Sequence, residues 1–322
     1  MATQRFSLSP DRRQLALVAL AVVALYVLLP QLGDFRSSWH LVSHPRPGPS
    51  LLALIFSFAT YLAAAGTYCL LAFRPLHFGR TAGVQLAAMF VNRLLPAGIG
   101  ALGANYLYLR HERHKEAPAA AMVAMNNLLG FAEHGFLIAI TLLLSSGQAW
   151  QLPGSTGSGL NAVTILKIAA ITGLLLLGLG LFLGRRKLLA ALRDVERQLL
   201  SYRRRPWHLL GALGTSLCLT LCNTLSLFFC LHALGLQLPF AAVLLVFTLG
   251  VSAGSAVPTP GGLGGFEAGL AAGFVAYGLD ASAALATALL YRLISYWVPL
   301  IAGAVALVWC QRRHLFQVSA GY

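Results

Sequence analysis

The sequence predicts an all-α polytopic membrane protein with six spanning helices plus two opposed re-entrant hairpins in an inverted-topology repeat. Three observations point there. The 322 residues are 58% hydrophobic and only 10% charged, with a mean hydropathy of +0.74, whereas soluble domains are about a quarter charged. Six unbroken apolar runs are long enough to cross a hydrocarbon core of ~30 Å, which takes about 20 helical residues. Two further apolar runs are interrupted near their middles, by PAGIG (96–100) and PTPGGLGG (258–265).

The six runs lie at 15–32, 50–73, 118–145, 161–184, 207–233 and 281–309. The first follows Arg5, Arg12 and Arg13 as a secretory signal would. No small-x-small cleavage pattern follows in LLPQLGDFRSSW, so it reads as a retained helix. The cysteines Cys69, Cys218, Cys222, Cys230 and Cys310 all fall in or at the end of apolar runs, without C-x-x-C spacing. They read as small core residues rather than as metal ligands or a disulfide framework.

The interrupted regions, 81–109 and 239–278, have a different form. On either side of Pro96 the arms are too short to cross the core singly at 1.5 Å per residue. A hairpin that enters and leaves on one side satisfies both length and charge. It puts Arg5, Arg12, Arg13, Arg74, Arg80, Arg110, Arg113, Lys115, the basic stretch 185–205, Arg312 and Arg313 on one face, leaving Arg36 and Arg46 opposite. A single crossing would move 185–205 outside, against the excess of Lys and Arg in cytoplasmic loops. Both termini are therefore expected in the cytoplasm, and the net charge of +14 belongs to a membrane surface rather than to nucleic-acid binding.

With that topology the second hairpin enters from the other face. Pro96, Gly98 and Gly100 match Pro260, Gly262 and Gly264 at one constant offset, and each set precedes an Ala-rich run, APAAAMVAMNNLLGF or DASAALATALLYRLI. Matching breaks of opposite orientation are the mark of an inverted repeat. Between the halves, Leu188, Leu192, Val195, Leu199 and Tyr202 share one face of a basic segment, 185–205, expected to lie on the anionic cytoplasmic leaflet.

Ionisable groups inside a bilayer are costly and usually pair, face the bundle interior or mark a pathway. Arg93, Glu133, His134, Glu267 and Arg292 are such groups. Arg292 lies too deep in its run to reach the surface and needs an anion, for which Glu267 is the nearest candidate. Two readings fit. Arg93 and Arg292 supply forked donors to a phosphate while Glu133 and Glu267 balance charge, or Glu267 and Arg292 only lock the hairpin to the last helix. Half-helix termini at Pro96, Gly98, Gly100, Pro258, Pro260, Gly261, Gly262 and Gly264 would add free backbone N–H groups. Asn92, Asn126 and Asn127 are expected at helix contacts or lining a cavity. His111 and His114, in RHERHKE, lack H-E-x-x-H spacing and are expected in a solvated loop. No P-loop, nucleophile elbow or metal-binding spacing occurs, so no enzyme activity, cofactor or metal is expected.

PTPGGLGGFEAGL and LLYRLISYWVPLIAG resemble the C-terminal signature of the lysylphosphatidylglycerol synthase transmembrane-region family, and NRLLPAGIGALGANYLYLR is similar to its N-terminal half. The resemblance covers about residues 10–312. It implies a multi-pass inner-membrane protein that moves a lipid between leaflets, with Pro96, Gly98, Gly100, Pro260, Gly261, Gly262, Gly264, Glu267, Tyr291 and Arg292 at the matching positions. In bifunctional members a soluble aminoacyl-transfer domain follows the last helix. Here the sequence runs only a short way past Trp309, so a transmembrane domain without that activity is expected.

The expected function is a flippase for a phospholipid or lipid-linked headgroup. Its expected partners are membrane lipids, anionic or lipid-linked, with a second copy or a separate lipid-modifying enzyme as a protein partner. The alternatives are a membrane-embedded transferase using Glu133 or Glu267 as base, and a proton-coupled solute transporter using Glu267.

Overall fold

The computed structural model describes residues 45–95, 99–144, 197, 199–256 and 259–317, and among these every regular element is helical. The expected spans at 15–32 and 161–184 lie outside the described residues, as do 185–196 and 198 of the basic segment, and Pro96, Gly98 and Pro258.

Among the described residues, three helices are long and apolar enough to cross a membrane: α1 (Pro47–Leu71), α5 (Pro206–Ala233) and the composite Ala281–Arg312. They coincide with three of the expected spans. Both α1 and α5 begin with proline, whose missing N–H is harmless in a first turn. The two pack antiparallel along their lengths. The Arg46 N–H donates to the Ala233 carbonyl at one end (2.9 Å), Ser226 Oγ donates to the Ala53 carbonyl (2.8 Å), and the Thr67 and Thr215 hydroxyls meet at the other end (2.9 Å). Small residues permit the approach: a Cβ on Gly66 would stand 3.1 Å from the Thr215 methyl. α4 (Glu116–Leu144) has 29 residues and carries Asn126, Asn127 and Glu133 within its apolar run.

Each interrupted region forms a pair of antiparallel helices. In the first, α2 (Phe78–Leu94) and α3 (Ile99–His111) are joined by Thr81 to Tyr108 (2.9 Å) and Gln85 to Asn105 (2.7 Å). Nearest the break, Gly100 approaches so closely that a Cβ would sit 2.5 Å from the Val91 carbonyl oxygen. In the second, α6 (Phe240–Ala256) and α7 (Gly265–Ala276) meet through Gly250 against Leu270, Gly254 against Phe266 and Gly273 against Val246. The arms contain 17, 13, 17 and 12 residues, roughly 18 to 26 Å each at 1.5 Å per residue. The first pair is longer than expected, starting at Phe78 rather than 81 and ending at His111 rather than 109.

The composite helix consists of α8 (Ala281–Arg292), a π turn (Leu293–Trp297) and α9 (Val298–Arg312). Its widened turn has a local cause. Pro299 lacks an N–H, so the Ser295 carbonyl four residues earlier has no helical partner. α9 lies along α2, where Gly303 would place a Cβ 2.8 Å from the Leu86 carbonyl oxygen.

At the end of the basic segment Tyr202 is buried, donates to the Leu71 carbonyl (2.7 Å) and packs on Phe73, while Arg203 and Arg204 are exposed. The solvated loop expected at RHERHKE is corrected. His114 is 4% exposed, its Nδ1 meets the Leu109 carbonyl (3.1 Å) and its Nε2 accepts the Arg74 N–H (3.3 Å). His111 Nδ1 meets the Gln317 carbonyl at 3.1 Å. Two backbones pass close to His114, and its ring satisfies a polar group on each.

Candidate functional site

The structure divides the expected site residues into a charged junction, a polar chamber and a separate buried carboxylate. The junction forms where the tip of the second hairpin, Pro260–Gly262, meets α2 and the π turn. Gly261, Gly262 and Gly264 have φ of 66°, 66° and 87°, a region that side chains with a Cβ rarely adopt. Gly261 is needed twice over, since a Cβ there would lie 2.5 Å from the Tyr296 ring.

Arg292 binds this tip. Its Nη2 donates to the carbonyls of Gly261 and Gly262 (3.3 Å each), and its Nε lies 2.5 Å from Glu267 Oε1 as an ion pair without hydrogen-bond alignment. Glu267 Oε2 accepts the Gly264 N–H (2.7 Å) and so caps α7. The guanidinium sits over Phe266 (4.3 Å) and near Tyr296 (5.1 Å), a favourable arrangement for a buried cation. Tyr291 stacks on Phe266 (5.9 Å) and donates to Asn223 Oδ1 (3.2 Å).

Arg93 reaches the other side of Tyr296, 4.1 Å from the ring centre. Its Nη1 donates to the Tyr296 carbonyl and its Nη2 to the Ser295 carbonyl, the latter at 2.6 Å. Ser57 Oγ donates to the Ile294 carbonyl (3.3 Å). The π turn therefore has three carbonyls satisfied by α1 and α2, and Arg93 supplies the donor that Pro299 lacks. Both Nη groups of Arg93 are engaged by backbone, where a bidentate phosphate ligand would need them.

Asn92, next to Arg93, belongs to the chamber. Its Oδ1 accepts the Ala101 N–H (3.2 Å) across the break. The chamber, about 320 Å³, is lined by Tyr68, Gln85, Asn92, Asn105, Asn126 and Asn127, with apolar Ala64, Ala101, Leu102 and Leu219. Beside it a shallower apolar groove of about 560 Å³ runs between α3 and α4, and the two cavities share Leu102 and Asn127. Asn92, Asn126 and Asn127 all line this chamber, and Asn92 also makes a helix contact through Ala101. Gln85, Asn105 and Tyr68 escaped the sequence reading, as did Tyr296 and Phe266. For Gln85 and Asn105 a signal was present, since a carboxamide in the interior of a short apolar arm needs a partner. For Tyr296 the signal was Pro299, which predicts an orphaned carbonyl nearby.

Glu133 lies apart from the junction. Its Oε1 accepts the Thr220 hydroxyl and lies 3.5 Å from His134 Nδ1, while Oε2 and His134 Nε2 have no hydrogen-bond partner among the described residues. Among the described residues no group of three metal-binding side chains occurs.

The model of the lysylphosphatidylglycerol synthase TM region matches residues 16–303. The chain is 30% identical over 121 residues to a UPF0104 membrane protein of Pyrococcus horikoshii, covering 38% of this chain and 36% of that protein. It is 34% identical over 85 residues to one of Methanothermobacter thermautotrophicus, covering 26% and 25%. The matched stretches are thus 36% or less of those relatives' lengths. The family match spans both helix pairs, the junction, the chamber and Glu133, and the chain belongs to the lysylphosphatidylglycerol synthase transmembrane-region family.

Proposed function

We propose that the protein moves a lipid between the leaflets of the cytoplasmic membrane rather than catalysing a reaction, with both termini cytoplasmic and the two hairpins entering from opposite faces. One observation carries this reading. The apolar groove between α3 and α4 adjoins the carboxamide-lined chamber through Leu102 and Asn127. A lipid has the same division, an acyl part that needs no water and a headgroup that needs hydrogen bonds. The charged junction fastens the tip of the second hairpin, Pro260–Gly262, to the composite helix, and Arg93 fastens the end of α2 to the π turn. Irregular backbone at membrane depth survives where it is buried in protein, and Arg93, Arg292 and Glu267 bury it. Family membership supports a lipid as the substrate class, and membrane lipids are the proposed partners, with a second copy or a lipid-modifying enzyme as protein contacts.

Gly103 offers the test. It lines the groove, and a Cβ there meets nothing within 4 Å, so Gly103→Leu fills the groove without disturbing the fold. In liposomes with fluorescent short-chain lipids, the wild type should exchange lipid and Gly103→Leu should lose at least tenfold of the rate. Exchange no faster than in protein-free liposomes would end the reading. A second reading, proton-coupled solute movement, draws on Glu133 and His134, whose Oε2 and Nε2 have no hydrogen-bond partner among the described residues. It requires solute uptake driven by a pH gradient and lost in Glu133→Gln.

A further inference from the structure

The chamber has a chemical character that narrows the substrate, and the narrowing rests on the lipid-moving reading above. Of the described residues that line it, none is charged. Four asparagines and a glutamine offer paired donors and acceptors, and a tyrosine offers a hydroxyl. Part of this capacity is used within the protein: Gln85 Nε2 donates to Asn105 Oδ1 (2.7 Å), Asn105 Nδ2 to the Ala101 carbonyl (2.9 Å) and Asn127 Nδ2 to the Val123 carbonyl (2.7 Å). Part is left over. Among the described residues no hydrogen bond is made by the hydroxyl of the buried Tyr68 or by the carboxamide of the half-buried Asn126, and both residues line the chamber. Polar groups on a cavity wall take their hydrogen bonds from whatever occupies it.

Charge decides what that is. A phosphate in the chamber would be desolvated against neutral amides with no cation among the lining residues, at a cost that buried anions meet only through ion pairing. The two nearby guanidiniums are already held, Arg93 by the carbonyls of Ser295 and Tyr296 and Arg292 by the hairpin tip and Glu267. A hydroxyl-rich neutral group suffers no such penalty, because each hydroxyl both donates and accepts, as carboxamides do. The volume, about 320 Å³, lies at the lower end of the range for small-ligand cavities. We infer that the chamber receives the uncharged, polyhydroxyl headgroup of a glycolipid whose acyl chains lie in the groove between α3 and α4.

The probes are monoglucosyl-diacylglycerol and phosphatidic acid of equal chain length, both fluorescently labelled, with the full chain in liposomes. The glucosyl lipid should cross at least tenfold faster than phosphatidic acid. Tyr68→Phe and Asn126→Leu remove unpartnered polar groups, so neither breaks a bond within the described protein, and each should slow the glucosyl lipid severalfold while leaving phosphatidic acid unchanged. Phosphatidic acid crossing as fast as the glucosyl lipid, or the two variants slowing both lipids equally, overturns the inference and leaves lipid movement standing. Binding is read separately, as the thermal shift of the purified protein with the glucosyl lipid or with free glucose. A shift with the glycolipid alone, without leaflet exchange, keeps the headgroup assignment and removes the translocation reading. An equal shift with free glucose overturns the lipid assignment in favour of a soluble sugar, and no shift with either, together with no exchange, overturns both readings.

Discussion

The two hairpins begin from matching breaks and diverge a few residues later. Three residues past Gly100 the first has Gly103; three past Gly264 the second has Glu267. Five past the same glycines stand Asn105 and Gly269, and in the following helices Leu128 occupies the place of Arg292 and Asn127 that of Tyr291. In the second hairpin Glu267 and Arg292 therefore tie α7 to α8, and Gly250, Gly254, Gly269 and Gly273 bring α6 and α7 into close contact. Among the described residues no side-chain hydrogen bond crosses between α6 and α7. The first hairpin has no such buried pair: its ion pairs, Arg80 with Glu112 (3.0 Å) and Arg110 with Glu116 (3.4 Å), each have an exposed partner, its arms meet inside through Gln85, Asn105, Thr81 and Tyr108, and the groove and chamber lie beside it. Two similar Pro- and Gly-rich breaks are thus followed by two different devices, a clasp and an open, hydrogen-bonding cavity. The residues that differ are few: Gly103 against Glu267, Asn105 against Gly269, Asn127 against Tyr291 and Leu128 against Arg292.

Removing the clasp should have the largest effect. Glu267→Ala strands the buried Arg292 guanidinium and should lower stability by about 3 to 5 kcal/mol, seen as a sharply lower Tm in detergent. A Tm near that of the wild type would mean the pair does not hold the second hairpin. Leaflet exchange should disappear with it, while insertion into the membrane remains. The glycine contact comes next. A Cβ on Gly269 would lie 2.8 Å from the Ala253 Cβ, so Gly269→Val overpacks the interface and should cost about 1 to 3 kcal/mol. Gly103→Leu in the first hairpin should leave Tm unchanged and act only on transport. Equal destabilisation by the two would erase the distinction between a closed and an open hairpin.

Gln85→Leu tests the polar side of the contrast. It leaves the buried Asn105 carbonyl oxygen without its 2.7 Å donor, and should cost about 1 to 3 kcal/mol. Asn105→Leu in the same background should add little further loss if the two act as one pair. Strict additivity of the two losses would show that they act independently.

The smallest effect concerns the loop after each hairpin. The first is pinned by His114; the second has Gly278 at the equivalent place, with φ of 87°. Burial holds the His114 imidazole below its ordinary value of 6.5, with Arg74 pushing the same way and the Leu109 carbonyl opposing. Its folded value is depressed, so its contribution is complete above about pH 6.5 and is lost as pH falls through the lower folded value. Protonation also removes the Nε2 lone pair that accepts the Arg74 N–H. The protection factor of the Arg74 amide, its exchange rate corrected for the intrinsic pH dependence, should fall in mildly acidic buffer, and His114→Asn should lose that pH dependence. An unchanged acid response in the variant would place the titration elsewhere.

Much of this architecture was legible in the residues. Alternation of long apolar runs with Pro- and Gly-broken ones indicated both hairpins, because backbone geometry and span length are local properties. The need for Arg292 to find Glu267 followed from the cost of a lone buried charge, which holds in any fold that buries it. The rest depended on which helices became neighbours. Arg93 looked like a phosphate donor until α9 came to lie along α2, where the carbonyls freed near Pro299 took both of its Nη groups. Five carboxamides spread over α2, α3 and α4 are only scattered polar residues along the chain. They become a chamber because α1 and α5 complete its wall with Tyr68 and Leu219. Sequence alone determined where the chain must break and which charges must pair, since those follow from length and desolvation. Only tertiary packing decided which polar groups were left without a partner, because hydrogen-bond satisfaction depends on the distances between helices.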